Sequence, residues 1–214
     1  MNRSKGIWLK IIGFFVVCFV VGIFIASVTD KTDTNKNIKI SQENWAQENF
    51  LETYDHHGYF VENNNDVAAD ISITAQCYDK DDNFLGEHKA EILGLGPNSK
   101  YFFIWNFEEN TAYSSYEFDS KSSKLNILES KDLSPNYDSK NNSVTMKNSS
   151  SEDTDVCYCC VIFYDSKGKI VDAITTEMHD GRVPSGKSVK EELKNPPLQN
   201  TYSKVEILPI AYSR

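Results

Sequence analysis

Two stretches of the chain decide its fold: Ile71-Ser-Ile-Thr-Ala-Gln-Cys-Tyr-Asp79 and Cys157-Tyr-Cys-Cys-Val-Ile-Phe-Tyr-Asp165. In the first stretch apolar and polar residues alternate with a period of two, which is typical of a β-strand with one face in a core. Both stretches end in Tyr-Asp, and each is followed by a polar turn and an apolar pair, Phe84-Leu85 or Ile170-Val171. Each stretch therefore predicts the first strand of a β-hairpin.

The two stretches belong to an internal duplication. Further matches follow them in the same order and at near-constant spacing: Gly96–Lys100 with Val183–Lys187, and Tyr113–Phe118 with Tyr202–Ile207. Such self-similarity indicates two copies of one structural unit. The sequence therefore predicts an all-β body made of two tandem small β-sandwiches, over residues 49–133 and 134–214.

Both units resemble FxLYD-type domains, which are small immunoglobulin-like sandwiches found on bacterial surface proteins and lipoproteins. The Phe and Leu positions of the family pattern are Ala75 and Cys77 in the first unit and Val161 and Phe163 in the second. The resemblance implies an immunoglobulin-like fold and a surface location, and it supplies no catalytic residue. The motif residues kept in both units are Tyr78, Asp79, Tyr164 and Asp165.

The N-terminal residues 1–28 predict a cytoplasmic arm and a transmembrane anchor. Ile11–Val28 carry no charge, and a helix of this length spans ~27 Å, close to the ~30 Å hydrocarbon core of a bilayer. Three basic residues precede this stretch, so the positive-inside rule places the N-terminus in the cytoplasm and the body outside the cell membrane. A cleaved signal peptide ending near Ala26 and a lipid on Cys18 are the alternatives. Residues 29–48 are polar and predict a solvated stalk.

The charge balance restricts the partners. The chain has 22 basic and 31 acidic residues, a net charge of −9. Without the arm, 19 basic residues face 31 acidic ones, a net charge of −12. Binding to nucleic acid needs Lys and Arg to displace counterions from phosphates, so no nucleic acid is expected as a partner.

One segment matches a nucleotide-binding motif. Gly181-Arg-Val-Pro-Ser-Gly-Lys-Ser188 fits G-x-x-x-x-G-K-[ST]. A phosphate-binding loop must lead into a helix whose N-terminus faces the phosphate, and Pro196-Pro197 leave no room for such a helix. We therefore expect a structural turn and no bound cofactor, with nucleotide binding as the less favoured alternative.

An acidic cluster follows the first Tyr-Asp pair, at Asp79, Asp81, Asp82 and Asn83. Such oxygen ligands suit Ca²⁺, but the segment lacks the length and the terminal Glu of an EF-hand. Asp and Asn also favour turns for local reasons. We expect a solvated turn, with weak calcium binding as the alternative.

The cysteines predict core positions rather than a catalytic or disulfide role. Cys77, Cys157 and Cys159 fall on the inward faces of the predicted strands, where free Cys behaves as a small apolar residue. No Cys–His pair at a spacing typical of a metal or catalytic site accompanies them. We expect no disulfide, no metal site and no enzymatic activity.

The outward face of the second stretch carries Tyr158, Cys160 and Ile162, where the first stretch has polar residues. An exposed apolar stripe on an acidic body indicates a contact. Two interpretations remain open at this point: packing against the first unit or the linker, or a surface for a partner. These three residues are the candidate interface.

Together these patterns predict a membrane-anchored extracytoplasmic protein that binds, scaffolds or adheres to a protein or cell-envelope partner without catalysis. The alternative is an envelope sensor or accessory subunit that acts through its membrane helix.

Overall fold

The computed structural model describes residues 34–48, 53–78, 81, 83–106, 112–128, 132–194 and 202–213. These residues form strands, turns and short 3₁₀ turns, so the prediction of an all-β body is confirmed. The expected anchor lies outside the described residues. Within the described ranges no helix has the length and apolar character that a membrane span requires. Asp33–Arg214 make up one compact unit.

The first half of this unit contains two antiparallel three-stranded sheets. One sheet has the order β1-β2-β5 and the other has the order β4-β3-β6. The strands are β1 Ile38–Glu48, β2 Thr53–Asn63, β3 Ala69–Tyr78, β4 Phe84–Leu95, β5 Ser99–Asn106 and β6 Ala112–Ser122.

The second half repeats this strand order. One sheet has the order β8-β9-β12, and the other has β11-β10-β13 with the short strand β7 added at its edge. The strands are β7 Asn126–Ile127, β8 Leu133–Asp138, β9 Ser143–Asn148, β10 Val156–Tyr164, β11 Ile170–Glu177, β12 Ser188–Glu192 and β13 Lys204–Ser213. The two predicted hairpins are therefore β3–β4 and β10–β11.

The two motif strands differ in how they are covered. On β3, Ile71 and Ile73 are buried and Ser72 is exposed, as the alternation predicts. On β10, every residue from Cys159 to Phe163 is buried. A strand that is apolar on both faces needs cover on both faces, so β10 lies inside the unit.

Two clusters of buried side chains cover the two faces of β10. The first lies within the second half and includes Val144, Met146, Cys157, Cys159 and Phe163. The other contains the core of the first half and continues into the opposite face of β10 and β13, with Tyr59, Ile71, Ile92, Cys160, Ile162, Leu208 and Ile210 among its members.

Residues 38–48 were expected in a polar stalk, and the structure differs there. They form β1, which pairs with β2 from Ile38 opposite Asn63 to Glu48 opposite Thr53. Ile38 is buried and Ile40 half-buried, whereas Lys39 is exposed. An edge strand needs few apolar residues on one face, so the polar composition of this segment concealed its alternation.

Candidate functional site

The candidate interface residues lie at the junction between the two halves. Cys160 and Ile162 are fully buried, and Tyr158 packs against the same cluster as a half-buried side chain. The Tyr158 ring lies 5.5 Å from the ring of Tyr101 on β5, in an edge-to-face arrangement. The first half of the same chain therefore covers this face of β10.

A polar network crosses the junction beside these apolar contacts. Lys100 Nζ on β5 lies 2.8 Å from Glu206 Oε1 on β13. The Tyr164 hydroxyl donates to Glu206 Oε2 at 2.8 Å. Lys100 also lies 5.1 Å from the centre of the Phe60 ring, a cation–π contact. One carboxylate thus holds a cation from the first half and a phenol from the second.

The protonation states of this network follow from its geometry. Burial alone would raise the pKa of Glu206, but hydrogen bonds from Lys100 and Tyr164 outweigh it and hold that pKa below its usual range. Burial, together with the bond to Glu206, raises the pKa of the Tyr164 hydroxyl. At neutral pH Glu206 is therefore ionised and Tyr164 keeps the proton that it donates.

The segment between the halves is held in place as well. Ile127 pairs with Tyr212, which adds β7 to the sheet of the second half. A Cβ atom on Gly94 would lie only 2.4 Å from Ile127 Cδ1 and 3.3 Å from Tyr212 Cδ1. Gly94 also has a φ of +67°, which an L-residue rarely adopts. Glycine is required at position 94 because Ile127, in the segment between the halves, lies so close to β4.

A cleft of about 250 Å³ opens at the same junction. Its lining carries no charged side chain and consists of Gly94, Gly96, Pro97, Asn98, Ser99, Ile127, Leu128, Leu133, Pro209, Ile210 and Ala211. Ligand pockets usually have volumes of about 300–1,000 Å³ and a few convergent polar groups. This cleft lies just below that range, and the polar side chains in its lining are those of Asn98 and Ser99.

The repeat-motif residues of the second half shape its hairpin. Asp165 Oδ1 accepts hydrogen bonds from the backbone N–H groups of Lys167 and Lys169 at 2.8 and 2.9 Å. The backbone bond from Lys169 is the main cause of the lowered pKa of Asp165. The carboxylate therefore closes the turn, in the manner of an Asx-turn.

The first half places Tyr78 in the same position. Its ring packs against Phe84 at 5.6 Å, and its hydroxyl donates to Gln76 Oε1 at 3.1 Å. Asp79 and Asp82 lie outside the described residues, so the turn and its calcium alternative stay predictions. Among the residues that the structure does describe, no group of three or more His, Cys, Asp or Glu is placed to hold a metal ion.

Sequence analysis missed a pair of buried asparagines that occupy equivalent positions. Asn63 Nδ2 donates to the carbonyls of Val67, Leu95 and Gly96, each at 2.9 Å. Asn148 Nδ2 donates to the carbonyls of Glu152 and Val183 at 2.7 and 2.9 Å. Each side-chain oxygen also accepts the N–H of the residue two positions later, Asn65 or Ser150. The signal was an Asn at the end of the strand before each motif strand.

The segment that matches the nucleotide motif is a turn between two strands. Its backbone closes with the N–H of Lys187 on the carbonyl of Pro184 at 3.0 Å, and the Lys187 carbonyl accepts from Asn148 N. Ser188 then begins strand β12, where a phosphate-binding loop would begin a helix. Val183 is buried and Lys187 is exposed.

Three cysteines lie on β10 and are free thiols. Cys157 and Cys159 face the core of the second half, where burial raises the pKa of each to about 12. Cys160 faces the junction, and burial raises its pKa as well. Buried thiols with raised pKa values are poor nucleophiles. The side chain of Cys77 is not among those that the structure describes.

Comparison with known proteins adds no function. No family model and no curated protein matches this chain. Among solved structures, red sea bream transglutaminase aligns with 88% of this chain at 8% identity and a TM-score of 0.29, and the chain spans only 28% of that enzyme. The tandem CBM22 domains of Paenibacillus barcinonensis Xyn10C align with 87% of this chain and 90% of their own length, at 8% identity and a TM-score of 0.20. Likeness at this level carries no argument about activity.

Proposed function

We propose that this chain is a membrane-anchored extracytoplasmic protein that binds or scaffolds a protein or cell-envelope partner without catalysis. Its body is two tandem immunoglobulin-like sandwiches of the FxLYD type. The identical strand order of the halves and their equivalent asparagines, Asn63 and Asn148, support the tandem repeat. The uncharged stretch Ile11–Val28 behind a basic arm supports the anchor.

The junction is the observation that carries this proposal. Tandem surface domains on a flexible linker present independent surfaces, because small interfaces leave domain motion free. Here a shared apolar cluster, the Lys100–Glu206 ion pair and the strand β7 fix one half against the other. A fixed pair of sandwiches presents one composite surface of constant geometry, which suits a binding or scaffolding role.

The experiment is crosslinking of intact cells followed by purification of the full-length protein. We expect adducts with a defined envelope protein or polymer that form through the body. Protease added outside the cells should remove the body and leave the arm. An inaccessible body contradicts the proposed location, and an accessible body without any adduct contradicts the binding role.

The second candidate function, an envelope sensor or accessory subunit, is supported by the bonds that hold Thr34 to the body. Thr34 is already fixed, since its hydroxyl bonds the Ser120 hydroxyl at 2.8 Å and its carbonyl accepts from Asn65 Nδ2 at 3.0 Å. Replacing Ile11–Val28 with an unrelated anchor separates the two functions: binding by the body survives the exchange, and signalling through the helix does not.

A further inference from the structure

Because the body is an internal duplication, each of the two faces that meet at the junction has an equivalent face on the other half of the body. At the junction, the first half contacts the outer face of sheet β11-β10-β13. The equivalent sheet of the first half is β4-β3-β6, whose outer face is touched at its β6 edge by Asn35, since the Asn35 amide donates to Asp119 Oδ1 at 3.2 Å. Conversely, the strands β1 and β5, which contact the second half, correspond to β8 and β12. Repeating the junction would therefore seat β8-β9-β12 of one molecule on β4-β3-β6 of the next.

The face on β4-β3-β6 is acidic where its counterpart is apolar. Thr74 and Gln76 take the positions of Cys160 and Ile162, and by register Glu117, opposite Thr74, takes that of Leu208, opposite Cys160. Neighbouring register pairs place Ser72 opposite Glu91 and Asp119, and Gln76 opposite Glu87. The exposed charges on this face are Glu87, Glu91, Glu117 and Asp119 against Lys89 and Lys121.

The same face also has exposed apolar side chains at the rim. Phe84 is 56% exposed, whereas its counterpart Ile170 is buried at the junction. Leu93, further along β4, is also exposed. Apolar residues beside acidic ones suit a partner that supplies both contact area and positive charge.

The opposite face, on β8-β9-β12, has the complementary charge. Thr145 lies opposite Lys190 in the ladder of β9 and β12. The equivalent pair in the first half is Phe60 opposite Phe102, at the junction. Lys147 is paired with both Ser188 and Ser134. The outer positions of these strands and the turn beside them carry exposed lysines at 140, 147 and 190, against Asp138 and Glu192. On a body with a net charge of −12, a face on which lysines outnumber carboxylates is distinctive.

We propose that this protein associates with a second copy of itself, head to tail, through β8-β9-β12 of one molecule and β4-β3-β6 of the next. The contact is heterologous, so it builds rows rather than closed dimers. Because both faces are mainly polar, the association is weak and depends on ionic strength. This deepens the proposed scaffolding function and rests on its tandem repeat, but it does not depend on the identity of any other partner.

The test is sedimentation of the full-length protein in detergent over a range of concentrations. We expect oligomers that grow with concentration at low salt and dissociate in 1 M salt, as expected for about a 3 Å Debye length. The double variant Lys147→Glu/Lys190→Glu should weaken association about tenfold, and so should Glu91→Lys/Glu117→Lys. Mixing the two double variants should restore it between unlike molecules. Lys167→Glu/Lys169→Glu, on the exposed β10–β11 turn, is the matched control and should leave association unchanged.

Crosslinking between introduced cysteines tests which faces of the two molecules meet. Two tagged populations, one with Lys190→Cys and one with Glu117→Cys, should form a mixed crosslink with a short bismaleimide, whereas Lys167→Cys with Glu117→Cys should not. A monomer at all concentrations overturns the proposal, and so does association that survives both charge reversals or yields no mixed crosslink. A protein that fails to enter membranes but still forms these rows would refute the proposed anchor alone.

Discussion

Lys100 on β5 and Glu206 on β13 form an ion pair of 2.8 Å that joins the two halves of the body. Their side chains are 41% and 23% exposed, so solvent screens part of their attraction. The Tyr164 hydroxyl shares the same carboxylate. The pair therefore fixes the alignment of the two halves at the edge of an apolar junction. Most of the stability of the junction comes from the buried side chains beside the pair.

We predict that Glu206→Gln lowers the free energy of unfolding by no more than about 1 kcal/mol at pH 7, as partly exposed pairs do. The pKa of Glu206 is lowered in the folded state. Its contribution is therefore present above the unfolded pKa of about 4.3 and is lost as the pH falls through the folded value. Urea unfolding at pH 7 and pH 3 should show the difference from wild type shrink at pH 3. A difference of equal size at both pH values would contradict this assignment.

We predict that Ile162→Ala costs about 2–5 kcal/mol, because Ile162 is fully buried at the junction. The matched control is Leu85→Ala, which removes a similar volume from a side chain that is 55% exposed. That variant should stay within about 0.5 kcal/mol of wild type. Equal effects of the two substitutions in thermal unfolding would show that the first half does not cover β10.

We predict that Gly94→Ala destabilises the protein more than Gly186→Ala. Both glycines have nearly the same backbone conformation, with φ of +67° and +68°, so each alanine has a similar backbone strain of about 1 kcal/mol. Only at Gly94 does the new Cβ meet the linker, at 2.4 Å from Ile127 Cδ1, while nothing lies within 4 Å at Gly186. The difference between the two unfolding midpoints measures the contact of linker and β4.

We predict that Asn148→Ala costs about 1–3 kcal/mol, because it removes the amide hydrogen bonds to the carbonyls of Glu152 and Val183 and leaves the Val183 carbonyl with the longer 3.3 Å bond from the Thr154 N–H. Asn63→Ala should have a similar cost, since it removes the equivalent bonds to the carbonyls of Leu95 and Gly96, of which the Gly96 carbonyl keeps the Ser99 hydroxyl as a donor at 2.6 Å. Asn64→Ala, at an exposed neighbour, serves as the control and should be nearly neutral in chemical denaturation.

We predict that Lys187→Ala leaves thermal stability nearly unchanged, as exposed positions usually do. ATP should not raise the melting temperature of either form, because a strand follows this loop rather than a helix. Stabilisation of the wild type by ATP that the variant loses would restore the nucleotide hypothesis.

The strands that border the Tyr-Asp pairs were predictable because their pattern is local. Alternation over Ile71–Ile73 and the turn after Tyr164 depend on neighbours in sequence, and the structure has both elements. The strand β1 was not predictable in this way, since Ile38 and Ile40 are its apolar signal within a segment dominated by Asn, Lys and Thr. Its position depends on pairing with β2, which is a tertiary event.

The junction could be anticipated only in part. Apolar residues on the outer face of β10 indicated that something covers Tyr158, Cys160 and Ile162, but a pattern cannot say what does. The answer depends on Lys100, Phe60 and Tyr101, which carry no sign of the contact in sequence. The role of Asn63 and Asn148 was hidden for another reason: Asn in a polar segment is read as solvent-exposed, and only the fold shows that its amide binds buried carbonyls.

The position of β13 sets the order in which the body can be completed. It is the last of the described strands, yet it lies between β10 and β7 in the middle of its sheet, and it gives Leu208 and Ile210 to the cluster of the first half. During synthesis the first half can meet β10 and β11 before β13, so the part of its junction face that contacts β13 is covered last. Pairings this distant in sequence form slowly. Until β13 docks, β10 therefore has one unpaired ladder edge, and such an edge is a template for pairing with another chain.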